Sequence, residues 1–173
     1  MVSTVVNSEV REPRSVADLT TACTVIGYEM RALVDAHGHR DADNAFLESS
    51  LLHARNLIEF LIGRSSRRAT DMAPEDFSEG WEPRPEPSIR RLREHLDQID
   101  KHLAHLTWAR VDWRKDATAE YWNYPELATD VLAVFTEFAR FVQSHGAPCS
   151  GQLVAEAHVS ALRLARQAEG PDS

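Results

Sequence analysis

Eight histidines are the residues of this chain best suited to chemistry near neutral pH: His37, His39, His53, His95, His102, His105, His145 and His158. Imidazole titrates close to neutrality, so it can give or take a proton or ligate a metal. His102 and His105 stand one helical turn apart, and Lys101 stands one turn before His105. RNA cleavage by internal attack of a 2′-hydroxyl needs an acid/base of near-neutral pKa and a cation for the phosphorane charge. His105 and Lys101 meet that need, with His102 beside them. Arg90 and His95 form a second cation–imidazole pair, and the same loose spacing recurs at Arg140–His145, with one residue more between Arg31 and His37. Helical bundles that hold metals project carboxylates and His inward, often as Glu-x-x-His. No such pattern occurs here, which leaves His53 with His102 and His105 as the one three-imidazole alternative. No metal ligand set is assigned. A GxSxG elbow, a phosphate loop and a GxGxxG turn are all lacking, so no cofactor is expected.

The elements that must position these groups are helical. Ser15 can cap a helix whose apolar stripe runs Val16, Leu19, Cys23, Ile26, Met30, Leu33 and Val34, with Gly27 marking close packing and Gly38 the end. Asp41 or Asp43 caps a second helix to Ile62, with Phe46, Leu47, Leu51, Leu52, Leu57, Ile58 and Leu61 apolar and Gly63 closing it. Residues 64–87 read as a long connection that lies back on the bundle through Met72, Phe77 and Trp81, with Pro83, Pro85 and Pro87 barring a helix. Ser88 reads as the cap of a third helix. Its residues Ile89, Leu92, Leu96, Ile99, Leu103 and Leu106 follow a heptad seam made for a partner within or between chains. Pro125 starts a fourth helix, with Leu127, Val131, Leu132, Phe135, Phe138 and Val142 inward and Gly146 at its end. Ser150 caps a fifth, with Leu153, Val154, Ala157, Ala161, Leu162 and Ala165 inward. The expectation is an all-α, up-down bundle of four to five helices over 15–168, with a loose tail at 1–14 and a frayed one at 169–173.

Charge and composition narrow the partners. The net charge is −8, against a general nucleic-acid binder, whose affinity comes from neutralising phosphates. The charge is uneven: Arg55–Lys115 carries 12 basic and 11 acidic residues, the remainder 7 and 16. Only the middle of the chain would not repel an anion. Arg64, Arg67 and Arg68 with Arg90, Arg91 and Arg93 are either a phosphate site or solvated helix ends. The aromatic stretch Trp108–Tyr124 is either a base-stacking platform or a packed corner. Two cysteines, Cys23 and Cys149, without metal-like spacing suggest a reducing compartment and no structural disulfide. No apolar run is long enough for a membrane span and no signal sequence is evident, so a cytoplasmic, membrane-free protein is expected.

Two stretches, Leu52-His53-Ala54-Arg55-Asn56-Leu57-Ile58-Glu59-Phe60 and Ile99-Asp100-Lys101-His102-Leu103-Ala104-His105-Leu106-Thr107, resemble paired helix segments of HEPN-like bacterial proteins. The likeness is greatest to the branch tied to abortive infection and toxin–antitoxin systems. It implies a dimerising helical bundle and a metal-independent ribonuclease. In that reading His105 is the acid/base, Lys101 or Arg110 stabilises the transition state, His102 orients the substrate, and Arg55, Arg90 and His95 bind it. Where the family sets an Arg, this chain has Asp100 followed by Lys101. The alternatives are a non-catalytic, dimerising interaction bundle with a protein partner, and a metal-binding bundle.

Overall fold

The computed structural model describes residues 13–63, 68, 70–101 and 126–169. The expected tails are described only at 13–14 and 169, and the aromatic stretch, Pro125, Leu103, Leu106, His102, His105, Arg110, Arg64 and Arg67 lie outside the described residues. Among the described residues five α-helices form the bundle: α1 Val16–Gly38, α2 Asn44–Ile62, α3 Glu86–Ile99, α4 Leu127–Ser144 and α5 Ser150–Glu169. No strand occurs among the described residues, so the all-α expectation holds.

The helix ends follow the local chemistry. The Ser15 hydroxyl accepts from Asp18 N, and the Asp43 carboxylate accepts from Ala45 N, each satisfying a donor the helix leaves open. Gly63 ends α2 at φ 84°, a conformation without penalty only for glycine. Short links at 39–43 and 145–149 fold α2 back on α1 and α5 back on α4, and α1 also packs on α5.

α3 starts earlier than the sequence suggests. It begins at Glu86, with Pro in its first turn where no N–H is needed. Ser88 is therefore no cap. It is buried, and its hydroxyl donates to Asp130 Oδ1 of α4 at 2.7 Å. Arg91 grips both oxygens of the same carboxylate, at 2.7 and 2.5 Å. The seam Ile89, Leu92, Leu96 and Ile99 is buried against α2 and α4 of its own chain, so this part of it offers nothing to a second molecule.

The core centres on Phe135, Phe138, Met30, Leu33, Leu57 and Ile58. The long connection does lie back on it. Phe60, Phe77 and Phe138 meet edge-to-face at 5.2–6.0 Å between ring centroids, each pair adding about 0.5–1.5 kcal/mol beyond area. Trp81 joins them and donates from Nε1 to Leu61 O at 2.8 Å, using one of the carbonyls that α2 leaves open at its end. Met72 stays exposed.

Three apolar expectations are corrected. Val16, Phe46 and Leu52 point to solvent instead of the core. α5 is rotated: its inward face is Leu153, Glu156, Ala157 and Ser160, while Leu162, Ala161 and Ala165 are exposed. On that face Glu156 pairs with Arg31 of α1, opposite Gly27. The expectation of no disulfide is also overturned. Cys23 of α1 and Cys149 before α5 are bonded to each other across 126 positions of sequence. The absence of any spacing motif had hidden a pairing made only by the fold.

Candidate functional site

A cavity of about 570 Å³ opens between α1, α2 and the connecting segment at 68–72. That is the size of a small-molecule or nucleotide pocket. Its apolar floor is Ile26, Leu57 and Phe60, and Val25 and Met72 form an exposed rim. Its polar groups are Glu29, Arg55, Asn56, Glu59, Arg68 and Asp71. A smaller trough of about 330 Å³ shares Val25, Thr70 and Met72 with it and runs on toward Phe77.

The helical repeat explains why these side chains meet. On α2, Asn56, Glu59 and Phe60 recur at three and four residues and so share one face. On α1, Glu29 sits next to Met30 of the core stripe, at its margin. Glu29 Oε2 accepts from His53 Nδ1 at 2.8 Å and from Asn56 Nδ2 at 3.1 Å. The carboxylate therefore fixes the His53 tautomer, with the proton on Nδ1. The edge of Tyr28 closes on the His53 ring at 5.8 Å.

Arg55 is held from two sides. Its Nε donates to Asp100 Oδ1 at 2.8 Å, and its Nη2 lies 3.0 Å from Glu59 Oε1. Arg55 and Asp100 are both mostly shielded, which raises the strength of their charge-assisted bond above that of an open surface pair. This contact ties the middle of α2 to the end of α3. Lys101 follows at once and is exposed.

The remaining sequence candidates separate. Arg90 is exposed near the start of α3, about 15 Å of helix rise from Asp100. His95 is half-buried and lies about 140° around α3 from Asp100, toward Asp130 of α4 and Glu126 just before it. Burial pushes its pKa below the usual imidazole value, and the nearby Asp130 and Glu94 oppose that only in part. Neither lines the cavity. Arg31 is turned to Glu156 and Arg140 to Glu137. His53, considered as a metal ligand, is instead bonded to Glu29, and no metal-binding group occurs among the described residues. No helix among the described residues is long and apolar enough to cross a membrane.

Glu29, Asn56, Glu59 and Asp71 were not singled out by sequence. The only available signal was a charged residue, Glu29, beside a core stripe. No protein-family model, no curated protein and no solved structure matches the chain.

Proposed function

We propose that this chain binds a nucleotide unit of RNA in the cavity between α1 and α2, and cleaves RNA without a metal through the segment that follows Asp100. The observation that carries this reading is the Arg55–Asp100 bond, which sets a guanidinium of the cavity against the residue preceding Lys101. An apolar floor beside polar groups within one nucleotide-sized cavity supports the same reading. In the chemistry proposed, His105 takes the 2′-hydroxyl proton as the new P–O bond forms, and the bond to the 5′-oxygen breaks with that oxygen taking a proton from water. Lys101 or Arg110 offsets the phosphorane charge, and His102 orients the substrate. The likeness to HEPN-like proteins supports a dimer acting in bacterial stress or defence. The test is cleavage of labelled RNA by the whole chain in excess chelator, beside His105→Ala and Arg55→Ala. Chelator-resistant cleavage that both variants lose supports the reading. Cleavage that both retain, or none by the wild type, rejects it.

A second reading rests on a different observation. Tyr28, Leu52, Val25 and Met72 are large apolar side chains exposed near one another on α1, α2 and the cavity rim. They suit a protein partner or a second copy of the chain. Light scattering of the wild type beside Tyr28→Glu and Leu52→Glu distinguishes a dimer through this face from a monomer.

A further inference from the structure

We infer that Glu29 makes the cavity selective for guanine, so that its ligand is a guanosine nucleotide unit. This rests on the nucleotide reading above and adds to it the identity of the base. Glu29 Oε2 is already committed to His53 and Asn56. Two donors from α2 thus hold a carboxylate of α1 in one orientation at the cavity wall. Glu29 Oε1 accepts no hydrogen bond among the described residues. An ionised carboxylate only accepts, and each oxygen has room for two donors. Whatever faces Oε1 must therefore bring N–H or O–H groups.

Guanine carries N1–H and the N2 amine side by side on one edge. Adenine places the lone pair of its N1 at the corresponding point, against the carboxylate charge. A flat ring suits the apolar floor of Ile26, Leu57 and Phe60. The lining holds two arginines against three acids, Glu29, Glu59 and Asp71. Its field does not draw anions in general, so discrimination falls to the base edge.

Equilibrium dialysis of the whole chain with guanosine and adenosine 5′-monophosphates tests this. The guanosine nucleotide is expected to bind about tenfold tighter or more, the discrimination typical of hydrogen bonds to a charged acceptor. Glu29→Gln, shown to be folded by circular dichroism, is expected to bring the ratio to about one, because its amide can donate to the adenine lone pair. The wild-type ratio needs no variant and decides by itself. Equal binding of the two nucleotides overturns the guanine assignment and leaves the nucleotide reading standing. Binding of neither overturns both. A wild-type preference that survives Glu29→Gln overturns the role of Glu29.

Discussion

The guanidinium of Arg55 donates to the carboxylate of Asp100 at 2.8 Å, joining two segments 45 residues apart. The same carboxylate sits one residue before Lys101. A change at Arg55 therefore acts on two things at once: the cation of the cavity and the placement of the chain that leaves α3.

A double-mutant cycle separates these roles. Arg55→Met and Asp100→Asn are each expected to cost about 1–2 kcal/mol in urea unfolding, because each removes the charge-assisted bond between shielded groups. The double variant should cost less than the sum, with a coupling of about 1 kcal/mol. Strict additivity would show that the contact contributes nothing to stability.

Asp130 is the buried acceptor shared by Ser88 and Arg91. Asp130→Ala leaves the buried Ser88 hydroxyl without its acceptor and is expected to lower stability by about 1–3 kcal/mol. Pairing it with Ser88→Ala should recover part of the loss, read from chemical unfolding of both variants.

His95 should give the protein a pH-dependent stability. Its pKa in the fold lies below the ordinary 6.5 because burial penalises the charged ring. Between the two values the unfolded chain binds more protons, so stability rises with pH in that window. The penalty is absent above about pH 6.5 and complete below the folded-state pKa. Unfolding free energies measured from about pH 5 to 7 should flatten in His95→Gln.

The Cys23–Cys149 bond closes a loop of more than a hundred residues. Its removal in Cys23→Ser, Cys149→Ser is expected to cost about 2–5 kcal/mol, chiefly through a freer unfolded chain. Thiol labelling under denaturing, non-reducing conditions should find no free thiol in the wild type and two after reduction. Two free thiols without reduction would rule the bond out.

Much of the fold could be read from the chain, because caps and stripes are local. Ser15, Asp43 and Gly63 each stand where their chemistry stops or starts a helix, and Leu127–Val142 buries as its spacing requires. Ser88 misled for a physical reason: the residue type that suits a cap also suits a buried hydroxyl, and only the arrival of Asp130 decides between them. The face of α5 was misread because a paired glutamate, Glu156, takes a place that periodicity reserves for an apolar residue. Of the site, His53 stood out by type, and Arg55 only through the likeness to HEPN-like proteins. The bonds that give Glu29 and Arg55 their roles span 24 to 45 positions, and no spacing rule reaches that far.

The last helix is fastened differently from the rest. α5 buries only two apolar side chains, Leu153 and Ala157, where α4 buries nine. Val154 and Leu164 are only partly buried against the core, and polar ties to α1 add to them: Glu156 to Arg31, Arg163 to Asp35 at 2.7 Å, and Gln167 Nε2 to Val34 O at 3.1 Å. Bonds of that kind are readily exchanged for water, so the native state should breathe from this end. Amide protons of 150–169 would then trade with solvent through partial openings, while those of α4 wait for the whole molecule to come apart.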